Sequence, residues 1–202
     1  MSDSHTPSSL AAKWDRHYAE IDPARPVAAS WVLQNHLDQL PFKGQALDLA
    51  CGLGGNARLL AQCGLQVEAW DISEVALKHL NNWAAVHRLP IQVSITDLNQ
   101  MLLPFERFDV ITVSHYLDRT LWPQIVQAVK PGGQLWVQTF LAPVQANGPR
   151  HPDFYLQPGE LQALPDLPGC TDLRLELYGQ GWLGEIEHQT YQAWSIYQRK
   201  RP

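Results

Sequence analysis

Charge is scarce in this 202-residue chain, and positive charge scarcer still. Only 17% of residues are Asp, Glu, Lys or Arg, and 20 acids against 15 bases leave a formal charge of −5. Gripping nucleic acid or an anionic membrane needs the opposite balance, so neither is an expected partner. The basic tail "QRKRP" is short and reads as a solvated strand end. Cysteine is also rare. Cys51, Cys63 and Cys170 form an odd set without C-x-x-C spacing. A disulfide framework and a zinc site are therefore not suggested, no metal is expected, and a reducing cytoplasm is the expected location. No apolar run approaches the roughly 20 residues that cross a bilayer. The start "MSDSHTPSSL" lacks the apolar centre of a secretion signal, and residues 1–8 are expected to be frayed. Neither an internal repeat nor a low-complexity linker divides the chain, so one domain spanning 1–202 is the economical reading.

What is present is alternation. A first helix is expected across "LAAKWDRHYAEI", capped by Ser8 or Ser9, with Leu10, Trp14 and Tyr18 on one face. "IDPARPV" breaks it, and a second helix is expected across "AASWVLQNHLDQL". Short strands and helices then follow in turn: "QALDLA", "NARLLAQCG", "QVEAWD", "SEVALKHLNNWAAVHRL" with Ser73 as its cap, "IQVSITD", "FDVITVS", "LWPQIVQAVK" and, past "PGG", "QLWVQTF". Strands alternating with helices at this spacing predict βαβ crossovers and a mostly parallel sheet covered on both faces. After Phe140 a long Pro- and Gly-rich connection leads to a short helix from Glu160. Two longer alternating strands joined by "QGWLGE" then predict an antiparallel hairpin at a sheet edge. The divisions expected within the domain are a helical cap over 9–40, a core over 45–140, and a connection with edge hairpin over 141–202.

The chemistry is concentrated in "ALDLACGLGGN" (46–56), a strand ending near Asp48 and running into Gly52, Gly54 and Gly55. Glycines at a strand-to-helix turn let backbone N–H groups approach a ligand, and the following helix N-terminus adds partial positive charge. Asp48 inside the turn repels a pyrophosphate but suits an α-ammonium or a sulfonium. Asp71 ends the second strand, 23 residues after Asp48, where an acid can take both ribose hydroxyls. Asp97 ends the third strand and can accept from an adenine amino group. Each acid has a plainer reading as a helix cap or turn residue. Together they line the edge where such sheets bind ligands.

These residues carry a resemblance. "ALDLACGLGG" resembles the first motif of class I S-adenosylmethionine-dependent methyltransferases, and "EAWDIS", "TDLN", "FDVITVSHYL" and "VKPGGQLWV" resemble its later motifs in order. The resemblance implies an α/β fold: a Rossmann-like, doubly wound, mostly parallel seven-stranded sheet with a C-terminal antiparallel hairpin and helices on both faces. Ala50 departs from the pattern where glycine is usual, which requires its φ to be negative. Within the class, "RLLAQCGLQVEAWDIS", "DLN" and "HPDFYLQPGEL" are most similar to the small tellurite-resistance methyltransferases, whose N-terminal helix covers the cofactor.

The resemblance implies S-adenosylmethionine as cofactor, S-adenosylhomocysteine as product, and a site at the strand ends. Gly52, with the neighbouring backbone of Ala50, Cys51 and Gly54, would hold the methionine end and Asp48 its amino group. Asp71 would take the ribose, Ile72 and Leu98 would sandwich the adenine, and Asp97 would mark its amino edge. Asn56 belongs to the same loop, and Ser114 and His115 would face the methyl donor. His115, Tyr116 and Arg119 are the candidate catalytic residues for contacts to the methyl acceptor, while Trp14, Tyr18, Arg150, His151 and His188 are candidates for a lid or substrate contacts. Where the tellurite family carries basic residues in the last hairpin, this chain has Glu185, Glu187 and His188 and no arginine, which disfavours a doubly negative acceptor. No Asn-Pro-Pro-Tyr run stands at "SHYL", which lowers the case for nucleic-acid amino groups. The expected function is methyl transfer to a small molecule: a thiol, a selenium or tellurium oxyanion, or another metabolite. The expected assembly is a monomer or homodimer. The alternatives are a non-catalytic module that senses S-adenosylmethionine or its product, and a nicotinamide-dependent oxidoreductase.

Overall fold

The computed structural model describes residues 9–22 and 25–201, so the expectation for 1–8 lies outside the described residues. Seven strands form one sheet: β1 (Gln45–Leu49), β2 (Gln66–Asp71), β3 (Ile91–Ile95), β4 (Phe108–Ser114), β5 (Val129–Phe140), β6 (Leu173–Leu183) and β7 (Thr190–Arg199). Their order is β3-β2-β1-β4-β5-β7-β6. β1 to β5 run parallel, and β7 is antiparallel to both β5 and β6. This is the expected Rossmann-like sheet with its late hairpin. The helices are α1 (Ser9–Ala19), α2 (Trp31–Asn35), α3 (Gly55–Gln62), α4 (Glu74–His87), α5 (Trp122–Ala128) and α6 (Glu160–Ala163).

Strand residues alternate between two apolar cores because successive side chains point to opposite faces. Leu47, Leu49, Ile111, Val113, Leu135 and Val137 pack with α5 and α6, whereas Ala46, Val110, Trp136 and Trp194 pack with α2, α3 and α4. Asp48 falls on the second face, in register with Thr112 of β4. The strand order reverses between β1 and β4, and the open end of such a switch point is where ligands bind in α/β sheets.

Two expectations need correction. The second helix is only five residues long; the chain turns at His36 (φ −134°) into a single 3-10 turn, Leu37–Gln39. Leu33 and Leu40 are both buried while Leu37 is exposed, so one continuous helical stripe cannot satisfy the segment. The last hairpin does not turn at "QGWLGE" but runs on, pairing Leu183 with Thr190. Its glycines are strand glycines: a Cβ at Gly179 would lie 2.5 Å from the indole of Trp194, so the missing side chain makes room for that ring. Among the described residues no helix is long and apolar enough to cross a membrane.

Candidate functional site at the strand ends

The turn after β1 is built around a buried carboxylate. Asp48 is 1% exposed; it accepts from Thr112 Oγ1 (2.9 Å) and Asn56 Nδ2 (3.4 Å) through Oδ1, and from the Ala57 N–H (3.0 Å) through Oδ2. The last bond satisfies one of the free N–H groups in the first turn of α3. Burial outweighs these donors and pushes the Asp48 carboxyl up to about 7. Asn56, also buried, donates to Ser114 Oγ (3.0 Å) and accepts from the Ser30 N–H (2.8 Å), so it ties the glycine turn to β4 and to the chain before α2. It is more than a local cap.

Gly52 and Gly54 have φ of +52° and +78°, as a tight glycine turn requires. They face different neighbours. A Cβ on Gly52 would sit 2.5 Å from the Tyr18 hydroxyl, above the turn, whereas one on Gly54 would strike Leu80 of α4. Gly54 therefore serves helix packing, while Gly52 is the glycine that opens under the N-terminal helix. Ala50 has φ +53° and so lies in the left-handed region, contrary to the negative φ expected of it. The glycine usual at that position has a physical reason here.

Asp71, at the end of β2, accepts from the Gly52 N–H (2.7 Å) and the Ser73 N–H (2.9 Å), one on each oxygen. Burial raises its carboxyl, against the pull of these N–H groups. Ser73 caps α4 through Ala76 N, and its hydroxyl donates to Asp15 of α1 (2.6 Å), which holds that helix over the site. Trp14 and Tyr18 stack on α1 with centroids 5.9 Å apart, although the helix buries no residue fully. Burial first, then Asp71, Cys51 and Asp48, push the Tyr18 phenol up, so it stays protonated. Burial and the same two acids hold the Cys51 thiol well up, which removes it as a nucleophile. Asp97 is half-buried and accepts from Asn99 N, Asn99 Nδ2 and Gln100 Nε2, the pattern of a turn residue. Leu98 is buried beside it in the core, and Ile72 keeps part of its surface exposed.

Beyond β4, His115 has φ +55°, a strained backbone for a non-glycine residue. Its ring keeps solvent-reachable surface, yet protein surrounds it closely, and that crowding lowers its pKa, opposed by a bond to Gln192. Burial, then Asp118 and Asp97, push the Tyr116 phenol up to about 12, which leaves it a hydrogen-bond donor and not a base at neutral pH. Arg119 is otherwise occupied. Its guanidinium pairs with both oxygens of Glu160 (2.7 and 2.8 Å) and donates to the carbonyls of Asp153 (3.1 Å) and Tyr155 (3.0 Å). It ties the 153–160 connection to the 3-10 turn Arg119–Leu121 that follows β4, so the guanidinium expected at the methyl acceptor is here engaged by protein groups. Arg150 and His151 are exposed, with His151 engaged by Asp153, and His188 lies in the exposed turn between β6 and β7.

Sequence reasoning missed Gln138 and Gln192. Gln138 of β5 accepts from the Val32 N–H (2.8 Å) and donates to Gln192 Oε1 of β7 (2.8 Å). Gln192 donates to Thr190 Oγ1 (2.7 Å), and its Oε1 also lies 3.0 Å from His115 Nε2. Polar residues alternating in a strand signal a solvent face. Here both glutamines are buried, and only the tertiary pairing brings them together.

The residues fit a cationic cofactor. Among the described residues, no lysine or arginine forms an ion pair with Asp48, Asp71 or Asp97, and the first two are met only by neutral donors. No group of three or more His, Cys, Asp or Glu among them is arranged to hold a metal.

The family described as a methyltransferase domain matches residues 46–133, from β1 through the turn into β5. A ubiquinone biosynthesis O-methyltransferase of Coxiella burnetii is 30% identical over 141 residues, covering 65% of this chain and 58% of the relative. The chain thus spans less than two thirds of the curated relatives it matches. A Methanosarcina mazei S-adenosylmethionine-dependent methyltransferase structure superposes with TM-score 0.66 at 16% identity, covering 87% of this chain and all of the other. TehB from Haemophilus influenzae superposes with TM-score 0.70 at 20% identity, covering 93% and 67%. These two likenesses speak for the fold. Residues 46–133, which carry Asp48, Asp71 and Asp97 in sequence order, are thus similar to methyltransferase domains, on a fold shared with S-adenosylmethionine-dependent methyltransferases.

Proposed function

We propose that the protein transfers the methyl group of S-adenosylmethionine to a hydroxyl oxygen of a small organic molecule. The observation that carries this reading is the pair of buried strand-end carboxylates, Asp48 and Asp71, which have neutral partners only. Such a site is short of positive charge, and a ligand bearing an α-ammonium and a sulfonium supplies it, whereas a pyrophosphate would add to the repulsion. When bound, S-adenosylmethionine contributes an electrophilic methyl on sulfur. The protein has to align, desolvate and manage one proton. Asp71 and Gly52 fit the ribose and methionine portions, Tyr18 and the rest of α1 exclude water from above, and His115 receives the hydroxyl proton. A hydroxyl is favoured as methyl acceptor because the curated relatives are named O-methyltransferases. Glu185 and Glu187, in the exposed hairpin turn, weigh against oxyanions such as tellurite.

A labelled-methyl assay over catechols, simple phenols, thiols and tellurite tests the proposal. Transfer to a phenolic or catecholic oxygen is the expected result. Transfer confined to thiols or tellurite would overturn the choice of acceptor, and tight cofactor binding with no transfer to any of them would favour a sensing module.

A further inference from the structure

The two glutamines behind His115 form a directional chain, and its direction is set by a group that cannot turn around. A backbone N–H is always a donor. The Val32 N–H, unpaired within the short helix α2, therefore requires an oxygen from Gln138, which fixes that amide with Oε1 toward Val32 and its NH2 toward β7. The atom of Gln192 that meets this NH2 must in turn be an acceptor, Oε1, which leaves the Gln192 NH2 to donate to Thr190 Oγ1. His115 Nε2 lies 3.0 Å from that same Gln192 oxygen. Two acceptors cannot share that contact, so Nε2 must carry the hydrogen. The ring is further confined by Phe140 at 5.1 Å between centroids, and its backbone is anchored by the His115 N–H on the Gln138 carbonyl (2.9 Å).

We infer that Gln138 and Gln192 are positioning residues that lock neutral His115 as the Nε2–H tautomer and leave Nδ1 as the proton-accepting atom of the site. Nδ1 has no hydrogen-bond partner among the described residues, and the ring retains surface that a ligand can reach. The use of this lock rests on the proposed methyl transfer to oxygen; the lock itself does not. In that reaction Nδ1 takes the hydroxyl proton as the oxygen bonds to the methyl carbon. The electron pair of the broken carbon–sulfur bond stays on sulfur, and the imidazolium afterwards releases its proton to water. Burial lowers the pKa of this imidazole, which keeps the ring unprotonated and ready to accept. The chain of bonds begins at α2, so the seating of the segment before β1 helps to set the protonation geometry of a residue after β4.

The tautomer can be read without turnover. Long-range nitrogen–proton NMR correlation on protein labelled with 15N-histidine, with His115 assigned by loss of its signals in His115→Gln, distinguishes pyrrole-type from pyridine-type ring nitrogens. At a pH where His115 is neutral, a protonated Nε2 and a bare Nδ1 are expected. The Nδ1–H tautomer, or an even mixture, would overturn the inference. Gln192→Leu should release the lock to a mixture and slow methyl transfer roughly 10- to 100-fold without weakening cofactor binding. Gln192→Glu, which keeps an acceptor at that place, should restore the Nε2–H form, and its failure to do so would also overturn the inference. Should Gln192→Leu not fold, the wild-type and Gln192→Glu spectra decide. An Nε2–H spectrum in a protein that methylates no hydroxyl would sink the proposed acceptor class and leave the lock standing.

Discussion

The Asp48 end of the site takes most of its carboxylate bonds from near neighbours in the chain, with one from Thr112 across 64 residues, and the His115 end is built from segments that meet only in the fold. Asp48 is held by Asn56 and Ala57, eight and nine residues away, and Asp71 reaches back 19 residues to Gly52. His115 depends on Gln192 across 77 residues, and Gln138 on Val32 across 106. The first end is acidic and partnered by neutral donors; the second is a relay of neutral amides ending on an imidazole. One end is thus suited to a charged ligand whose shape is constant, and the other to directing a single proton. Their titration runs in opposite senses as well.

That opposition gives the largest expected effect. The Asp48 carboxyl lies at about 7 in the folded protein against 3.8 when unperturbed, so between those values the folded state holds more protons than the unfolded chain. Stability of the cofactor-free protein should then fall as pH rises from about 4 to about 7, by up to about 1.4 kcal/mol per pH unit, and level off above. Asp71, raised as well, acts in the same direction. His115 is lowered from 6.5, so its contribution grows as pH rises through the interval just below that value. Denaturation curves across pH should show the Asp48 slope vanish in Asp48→Asn and the opposing one vanish in His115→Gln. A flat difference between wild type and Asp48→Asn would contradict the burial of that charge.

Asn56 bridges the two ends, and Asn56→Leu should cost roughly 2–4 kcal/mol by stranding the Ser30 N–H and removing donors from Asp48 and Ser114. Urea midpoints measure this, and a loss within error would mean the bridge is dispensable. Arg119→Ala is smaller, about 1 kcal/mol, because its partner Glu160 is half-buried and the pair is partly screened by solvent. Its expected signature is faster proteolysis within 141–160, with cleavage before β1 unchanged.

How much of this was legible follows the same division. The alternation of strands and helices in the parallel half, the Ser73 cap and the three acids near the strand ends could be read from local pattern, because each depends on residues a few positions apart. Asp48 was legible as a carboxylate in the turn, but its enclosure by Thr112 was not, since that pairing comes from the β1–β4 register. The two glutamines gave no signal, because an isolated polar residue in a strand looks the same whether it meets water or another amide. Arg119 was misread for a related reason: its partner Glu160 lies 41 residues on. Ala50 was misjudged at the level of one torsion, which yields the smallest prediction. Ala50→Gly should stabilise the fold by about 0.5–1 kcal/mol by relieving a left-handed alanine, less the entropy of added glycine.

Calorimetric titration of S-adenosylmethionine into wild type and Asp71→Ala tests the central claim most directly, with NAD as the comparison ligand. Binding of S-adenosylmethionine and not NAD by wild type is expected, with affinity about 100-fold weaker in Asp71→Ala because hydrogen bonds to a charged group are lost. NAD binding in its place, or equal affinity in the two proteins, would contradict a cationic cofactor held at these strand ends.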